Sequence, residues 1–367
     1  MTQRVDPDTV ETPIGCVDLG RTRENARRAA DYARSHGIGW RPHIKTHKSR
    51  EIAGIQLEAG AAGLTVATLR EAEVMAGLTD DILLAYPPVG SAKLARLARL
   101  PASLDLKVGL DSEVVLRALA STAAEAGRTV GILVELDAGL GRVGVQTAEE
   151  LLALARLADE LAGVCFRGLM FYPGHIRMEE GQQAEPISVA NAKLSAVLTA
   201  LLAAGLEPEI VSGGSTPTLR RSHEFDGLTE IRSGSCIFYD REGLAVGVAT
   251  QGDLAYTVLA TVVSTAVPGH AVVDAGSKAL AKEGRGGDAG FGVLLDRPEV
   301  VVSGLSEEHG VLDISKSDWR PTIGERVRIV PNHVCVSVNL QDHLLIQDGS
   351  EHRVLIPEGR GRGPWSA

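Results

Sequence analysis

A lysine flanked by histidines is the first residue whose surroundings suggest chemistry. Lys45 lies in the run RPHIKTHK at residues 41–48, after an apolar stretch that predicts a short strand and before a helical pattern that begins near Ser49. An amine at the carboxyl end of a strand can form a Schiff base with an aldehyde, and cationic His43 and His47 would depress its pKa. The alternative is a basic strand end that binds an anion or is solvated.

Three polar residues follow later apolar runs in the same way. Arg142 lies in the glycine-rich stretch 137–144, where a tight turn can direct it towards an anionic ring oxygen or a carboxylate, or where it can pair with Asp137. Tyr172 and His175 follow the run that ends at Phe171. Tyr172 can pack against a flat ring and His175 can move a proton, although such residues are often only packed and hydrogen-bonded.

Two loops rich in glycine and hydroxyl residues follow the last two strands of the predicted series. The first, 211–218, contains Gly214, Ser215 and Thr216, and the second, 230–235, contains Gly234 and Ser235. Loops at these positions of a barrel hold phosphate groups through backbone N–H groups and hydroxyls. A lysine that can form an imine follows one strand, and a phosphate cradle follows two others. This is the layout of a pyridoxal 5′-phosphate site.

A histidine and a cysteine two positions apart suggest a metal site. His333 and Cys335 lie in residues 330–335, which predict a strand, and alternate strand residues face the same side. Imidazole and thiolate together prefer zinc over magnesium or manganese, and two protein ligands leave positions for water and substrate. The alternative is a half-buried strand without a metal.

The elements that must position these residues alternate regularly. Eight short apolar runs between residues 40 and 231 are separated by stretches with helical periodicity, which favours a parallel α/β sheet closed as a (β/α)₈ TIM-type barrel over an open doubly wound sheet. After about Ala249, β-branched runs between Gly, Pro and Asp turns predict a mostly antiparallel β domain. We therefore predict a barrel over 12–248 and a β domain over 249–367, with residues 1–11 packing on the latter.

Two segments of the second domain predict irregular structure. The loop 284–292 is too irregular for a dinucleotide fingerprint and is interpreted as a mobile loop, and residues 359–367 are expected to be loosely ordered. Whether the 284–292 loop covers a site is left open.

Composition excludes several classes of protein. The chain has 367 residues and a net charge of −10, without the basic face that a nucleic-acid partner requires. Its four cysteines lie far apart, as is typical of reduced intracellular thiols. Because the amino terminus lacks a signal-peptide core and no apolar run approaches a membrane span, we expect a soluble, cytoplasmic protein with no membrane partner.

Four motifs together resemble a known family. RPHIKTHK, GGSTPT, EIRSGS and PNHVC, spread from residue 41 to residue 335, are similar to the fold-type III pyridoxal-phosphate enzymes that include D-serine dehydratase, D-threo-3-hydroxyaspartate dehydratase and D-threonine aldolase. The resemblance implies an alanine racemase-like barrel in a homodimer, with Lys45 as the Schiff-base lysine and Tyr172 and Arg142 against the cofactor. It further implies that Thr216, Gly234 and Ser235 hold the phosphate and that His333 and Cys335 hold the metal. Arg232 matches the arginine that alanine racemases place on the pyridine nitrogen, but whether that role carries over is left open.

The implied substrate is a D-β-hydroxy-α-amino acid. If Lys45 removes the Cα proton and the metal assists hydroxide departure, the products are an α-keto acid and ammonia. If His175 takes the β-hydroxyl proton, Cα–Cβ cleavage gives glycine and an aldehyde. By resemblance, cysteine and zinc are typical of the dehydratases, whereas aspartate and manganese are typical of the aldolases. Cys335 therefore favours a D-serine or D-3-hydroxyaspartate dehydratase with zinc, and manganese or magnesium remain alternatives.

Two other functions stay open. A metal-independent amino-acid racemase would use Lys45 with a second base. A pyridoxal-phosphate carrier would use the same cradle without catalysis, but such proteins are usually a barrel alone.

Overall fold

The structure is a computed structural model that describes residues 4–284 and 289–365. It contains two compact units, one formed by Ala26–Gly234 with Glu358–Ala367, and the other by Met1–Asn25 with Ser235–Pro357. We call them the barrel unit and the β unit. The division differs from the predicted one because the strand β1 (Ile14–Asp18) pairs with β10 (Tyr256–Ser264) and β16 (Leu344–Asp348) of the β unit. The chain thus forms part of the β unit, then the barrel unit, then the rest of the β unit, and it returns to the barrel unit at Glu358.

Eight parallel strands form the barrel unit, in the order β2-β9-β8-β7-β6-β5-β4-β3. They are β2 (Gly39–Trp40), β3 (Leu64–Val66), β4 (Asp81–Leu84), β5 (Asp105–Leu110), β6 (Val130–Leu136), β7 (Val164–Phe171), β8 (Ile210–Gly213) and β9 (Glu230–Ile231). The ends of this row join, because Thr65 N donates to Pro42 O at 2.9 Å and His43 forms a parallel bridge with Thr65. The predicted closed barrel is confirmed and the open sheet is excluded.

Helices alternate with these strands, as the periodicity predicts. They are α1 (Leu19–Ser35), α2 (Arg50–Glu58), α3 (Leu69–Met75), α4 (Ser91–Ala98), α5 (Glu113–Glu125), α6 (Ala148–Glu160) and α7 (Ala184–Ala203). Side chains of Ser49 and Thr68 cap α2 and α3, and Thr147 forms a capping box with Glu150 at α6. These caps satisfy backbone N–H groups that the first turn of a helix leaves without partners.

The interior of the barrel is filled by side chains rather than open. Leu83, Leu133, Met170 and Ile210 come from four different strands and form one buried cluster. Glycine at position 109 makes room for it, because a Cβ there would lie 2.4 Å from the sulfur of Met170. Packing of this kind holds the strand ends in fixed positions.

A layer of ion pairs lies at the amino ends of the barrel strands. Asp81, Asp105 and Glu230 are the first residues of β4, β5 and β9. Arg41 donates through Nε to Glu230 at 2.8 Å and through Nη2 to Asp81 at 3.0 Å. Lys107, which is 2% exposed, donates to Asp81 at 2.7 Å. Buried charges require such partners, so this layer closes the end of the barrel opposite the carboxyl ends of the strands.

One barrel helix has the length and composition of a membrane span. Within the described residues, α7 alone is long and apolar enough to cross a membrane. The expectation that no stretch approaches that length is corrected here. Its buried residues Ile187, Ala190, Leu194, Val197 and Leu201 follow the three-and-four-residue spacing of a helix that packs one face against a core.

The β unit contains a second closed arrangement of strands. β10, β11 (His270–Val273), β14 (Gly310–Asp313), β13 (Val301–Leu305), β12 (Gly292–Leu294) and β15 (Arg326–Pro331) pair in a ring, since β11 also pairs with β10. β1, β16 and β17 (Glu351–Leu355) extend it. All of these pairings except β1 with β16 are antiparallel, which confirms the predicted mostly antiparallel domain.

Two predictions about this part of the chain are wrong. Residues 334–340, predicted as a strand, form the helix α10 (Val334–Leu340). Residues 359–365, predicted to be loosely ordered, are held by several hydrogen bonds within the barrel unit. Part of the predicted 284–292 loop, residues 285–288, lies outside the described residues.

The ion-pair layer leads to a prediction about stability. Burial raises the pKa of Asp81, but hydrogen bonds and charge from Arg41 and Lys107 outweigh it, so the folded pKa lies below the ordinary value. A depressed carboxyl pKa stabilises the fold above the unfolded pKa of about 4, and this contribution is lost as the pH falls through the folded value. Asp81→Asn should cost about 2–3 kcal/mol of unfolding free energy at pH 7 in urea unfolding, because it leaves Lys107 and Arg41 undercompensated.

The cost should shrink as the pH falls below about 4. Glu113→Gln, which removes an exposed pair with Arg117 at 2.7 Å, serves as control and should change the free energy by less than about 0.5 kcal/mol. An Asp81→Asn cost no larger than that of the control would show that the layer contributes nothing.

Candidate active site and metal centre

Lys45 lies one tight turn beyond the carboxyl end of β2. Residues Ile44–Thr46 form a 3₁₀ helix, and the N–H groups of His47 and Lys48 donate to Ile44 O at 3.1 and 2.8 Å. The strand that was predicted to extend to Ile44 therefore ends earlier, at Trp40. The turn ends at Lys48, whose φ of 54° is uncommon for a residue with a side chain.

The two histidines beside this lysine are not cations near neutral pH. Burial, followed by the charge of Lys45, lowers the pKa of His43 well below its ordinary value. Burial also lowers the pKa of His47 to about 3, despite a bond between Nε2 of His47 and Gln56 at 3.1 Å. The expectation that these rings depress the pKa of Lys45 through positive charge is therefore corrected. Their burial, which no local pattern reveals, keeps them neutral.

An aromatic ring and an arginine lie close to Lys45 in the barrel unit. The amine of Lys45 is 6.0 Å from the centre of the Tyr172 ring, and Cζ of Arg142 is 5.1 Å from the same centre. A small pocket here is lined in part by Glu135, Asp137, Arg142 and Tyr172. Residues that follow β2, β6 and β7 thus meet at the carboxyl ends of the strands, where barrel enzymes place their chemistry.

A carboxylate shapes the turn that carries Arg142. Asp137 Oδ1 accepts hydrogen bonds from the N–H groups of Gly139 and Gly141, each at 3.0 Å. Burial raises the pKa of Asp137, but these bonds outweigh burial and lower it overall. Arg142 stacks on the Tyr172 ring. The sequence also allowed an ion pair between Arg142 and Asp137, and the ring contact takes its place.

His175 lies beside the same turn. A Cβ added to Gly139, whose φ is 112°, would lie 3.1 Å from the His175 ring, so the ring packs on bare backbone. The side chain is exposed to solvent.

The two loops of the predicted phosphate cradle are joined to each other. Ser233 Oγ donates to Ser215 O at 2.9 Å, and the N–H of Ser215 donates to Thr218 Oγ1 at 3.2 Å. The Ser215 and Thr218 hydroxyls also lie 2.9 Å apart, so the polar groups of Ser215 build the loop. Gly214 has a φ of 75°, which a residue with a side chain rarely adopts.

The second loop also packs on the lysine segment. A Cβ at Gly234 would lie 2.3 Å from His43 O, so only glycine permits this approach. Trp40 Nε1 donates to Ser233 O at 3.0 Å. Thr216 is buried in the first loop. Ser235 follows Gly234 in the chain and begins a 3₁₀ helix, Ser235–Ile237, that belongs to the β unit.

Arg232 is held by the barrel itself. Its Nη1 donates to Ser212 Oγ and its Nη2 to Phe171 O, both at 2.8 Å. Burial lowers its pKa from the ordinary value, opposed first by the charge of Glu135. Two of its five N–H donors are thereby used, and the guanidinium has three others for a ligand.

These residues fit a phosphorylated aldehyde with an aromatic ring. The amine of Lys45 can hold the aldehyde, and the Tyr172 ring and the Arg142 guanidinium offer stacking surfaces. The Gly214 and Gly234 loops are of the kind whose backbone N–H groups bind phosphate in barrel proteins. Within residues 4–284 and 289–365, Nδ1 of His43 is buried without a hydrogen-bond partner, as expected of a group that a ligand or water completes.

The predicted metal residues lie at the start of a helix rather than on a strand. His333 is the N-cap of α10 and Cys335 is its second residue. The strand-face reason for their convergence is therefore wrong. A side-chain hydrogen bond nevertheless links them. The charge of Cys335, followed by the hydrogen bonds to Asp240 and Cys335, raises the pKa of His333 to about 12, although burial alone would lower it.

Two acidic residues complete this cluster, and neither was predicted from the sequence. Asp240 Oδ2 lies 3.1 Å from His333 Nδ1 and Glu242 Oε2 lies 3.7 Å from the same atom. With His333 they form a group whose ligand atoms all lie within 4.8 Å of one another. The donor set of imidazole, thiolate and carboxylate suits zinc.

Asp240 is built to orient His333. Its Oδ2 also accepts from Val334 N at 2.9 Å, and its Oδ1 accepts from Gly243 N at 3.1 Å. A carboxylate on Nδ1 holds the ring and leaves Nε2 for a metal. In the sequence, Asp240 is recognisable only as the N-cap of the short helix α8 (Arg241–Ala245). Its pairing with His333 cannot be read from a local pattern, because the two residues lie 93 positions apart.

The fold and these groups define an alanine racemase-like barrel protein with an added β unit, and comparison with known proteins agrees. Residues 17–242 match the family model for the alanine racemase N-terminal domain, and residues 255–347 match that for a putative serine dehydratase domain. The chain therefore belongs to the alanine racemase-like family, and its relatives include proteins named D-threonine aldolase and D-serine dehydratase.

Three matches illustrate this similarity. D-threo-3-hydroxyaspartate dehydratase of Delftia sp. (strain HT23) is 34% identical over 90% of this chain and 92% of its own. The structure of D-threonine aldolase from Filomicrobium marinum has a TM-score of 0.89 at 30% identity, covering 97% of this chain and 98% of that one. A cysteine-to-alanine mutant of D-threo-3-hydroxyaspartate dehydratase, solved in a metal-free form, has a TM-score of 0.84 at 31% identity and covers 95% and 98%.

The role of Asp240 can be measured directly. Asp240→Asn should weaken zinc binding about 10–100-fold, because an amide holds the His333 ring less firmly in the required tautomer. Zinc titration calorimetry on the purified protein measures this. Asp313→Asn, which alters a surface carboxylate 2.6 Å from Ser315 Oγ, is the control and should bind zinc like the unchanged protein. Equal affinities for the two variants would remove Asp240 from the site.

Proposed function

We propose that this protein is a pyridoxal-phosphate- and metal-dependent lyase that removes water from D-β-hydroxy-α-amino acids such as D-serine or D-3-hydroxyaspartate. The observation that carries the proposal is the position of Lys45 at the carboxyl end of β2, within 6.0 Å of the Tyr172 ring that Arg142 also contacts. We further propose a cytoplasmic homodimer that takes a free small-molecule substrate.

Different residues of the barrel unit would bind different parts of the cofactor. Lys45 would hold the aldehyde carbon, Tyr172 and Arg142 would lie along the ring, and the backbone at Gly214, Thr216 and Gly234 would hold the phosphate. Pyridoxal phosphate, when bound, supplies an electron sink for the bond that breaks at the substrate Cα.

Lys45 has two roles in this proposal. Its amine would hold the aldehyde of the cofactor, and the same amine would serve as the base for the substrate Cα proton. The neutral His43 beside it adds no positive charge that would oppose protonation of that amine.

The β unit would hold the divalent metal. His333 and Cys335 would be ligands, Asp240 would orient His333, and the ion would act as a Lewis acid on the β-hydroxyl. The metal-free mutant of the related dehydratase, in which a cysteine is replaced, supports a cysteine ligand. The imidazole and thiolate donors favour zinc, with manganese or magnesium as alternatives.

A specific observation favours a second candidate function. His175 is an exposed histidine that packs on Gly139 at the carboxyl ends of the strands, where a base for the β-hydroxyl proton is needed in retro-aldol cleavage. The similar D-threonine aldolase supports this alternative. A metal-independent racemase is the third candidate, and the acidic cluster around His333 argues against it.

The lysine assignment has a spectroscopic test. Lys45→Ala should lose the visible absorbance of covalently linked cofactor, because no amine remains to bind the aldehyde. Borohydride reduction of the unchanged protein followed by peptide mass spectrometry should locate the cofactor on Lys45. Lys193→Ala, which removes a partly exposed lysine of α7, should keep the full absorbance. A persistent yellow band in Lys45→Ala would refute the assignment.

The reaction and the metal can be tested together. D-Serine should give ammonia and pyruvate, and the activity should disappear with a chelator and return with zinc or manganese. D-Threonine is assayed in parallel for glycine and acetaldehyde, which would identify the aldolase instead. Full activity in the presence of the chelator would eliminate the metal role, and L-serine as the product in place of ammonia and pyruvate would favour the racemase.

A further inference from the structure

We propose that residues 358–365, here called the anchor segment, position the turn that carries Lys45, with Gly359 as the contact residue. This inference rests on the proposed role of Lys45 as the cofactor-binding lysine. The N–H of Gly359 donates to Lys48 O at 2.7 Å. Lys48 closes the turn in which Lys45 lies, since its own N–H donates to Ile44 O at 2.8 Å.

The turn needs an external hold because its last residue has an unfavourable backbone conformation. Lys48 has a φ of 54°, a region in which the Cβ of an L-residue crowds the following carbonyl group. Such a conformation persists only where surrounding contacts determine it. Two contacts do so here, the Gly359 bond to the Lys48 carbonyl and the ion pair between Lys48 Nζ and the fully buried Glu71 at 2.5 Å.

The contact at position 359 is close enough to favour glycine. A Cβ there would lie 3.1 Å from Lys48 O, 3.3 Å from Lys48 Cβ and 3.4 Å from Glu71 Cγ. The anchor segment therefore packs on both partners of the ion pair as well as on the carbonyl. Nothing in the sequence around residue 359 predicts this, because the contact joins residues more than 300 positions apart.

The rest of the anchor segment is held by helices α2, α3 and α4. Arg50 N donates to Glu358 Oε2 at 3.1 Å, and Arg70 donates to Glu358 O and Pro364 O, both at 2.9 Å. Arg96 donates to Arg362 O at 2.6 Å and to Gly363 O at 3.0 Å. Trp365 N donates to Glu73 at 2.7 Å, and its ring lies 4.6 Å from the Arg70 guanidinium.

A chain of fixed contacts thus runs from the outer helices to the lysine. The helices hold the segment, the segment holds the Lys48 carbonyl, and Lys48 holds the Lys45 turn. If the Gly359 contact is lost, the turn can relax towards a more favourable φ at Lys48, and the Lys45 amine loses its alignment. The consequence should appear in cofactor binding rather than in folding alone.

The test compares two proline substitutions in the anchor segment. Gly359→Pro removes the N–H that donates to Lys48 O, whereas Gly363→Pro alters the same segment at a residue that is held through its carbonyl, by Arg96. The readouts are the pyridoxal-phosphate dissociation constant, by absorbance titration of apoprotein, and the rate at which the covalent absorbance forms. Gly359→Pro should bind about tenfold more weakly and link more slowly, and Gly363→Pro should match the unchanged protein.

A second variant covers a failure of Gly359→Pro to fold. Arg70→Met releases the segment at two carbonyls without altering Gly359, and it should weaken cofactor binding about two- to threefold. The unfolding temperature of each apoprotein is measured in parallel. Unchanged cofactor affinity in the folded variants, with or without a lower unfolding temperature, would overturn the inference. If the unchanged protein itself fails to link the cofactor at Lys45, the proposed function fails instead, so the two failures are distinguishable.

Discussion

The hydrogen bonds that close the barrel are the constraint on which the lysine site depends. Thr65 N donates to Pro42 O at 2.9 Å, and the His43 bridge with Thr65 completes the ring of eight strands. Lys45 follows this closure by two residues, so its place is set by the first and last strands of the row at once. The Gly234 loop then packs on His43, which ties the phosphate cradle to the same closure.

The two ends of the barrel use polar residues in different ways. At the amino ends, Arg41, Lys107 and their acidic partners pair with one another and leave little for a ligand. At the carboxyl ends, Arg142 and Lys45 face an aromatic ring, and a buried His43 nitrogen has no partner among the described residues. The paired charges at the amino ends stabilise the fold, whereas the groups at the carboxyl ends are of the kind that a bound ligand would complete.

Much of the architecture was predictable because it rests on local periodicity. The alternation of apolar runs and helical patterns predicts the eight-stranded barrel, and the β-branched runs predict most strands of the β unit. The helix α10 was missed because Val334, Val336 and Val338 alternate as in a strand. Its start is decided by Asp240, which accepts from Val334 N and lies 94 residues away, so local propensity was overridden by a tertiary contact.

The sequence by itself determined which candidate site residues the chain contains and which predicted element each of them follows. It identified the lysine after the first barrel strand, the two glycine loops after the last two and the His-x-Cys pair, because each depends on neighbours within a few positions. The tertiary structure alone decided the charge of His43 and His47, the carboxylate on His333 and the contact between Gly359 and Lys48. Desolvation and hydrogen bonding between distant residues control all three, and neither is visible in a local pattern.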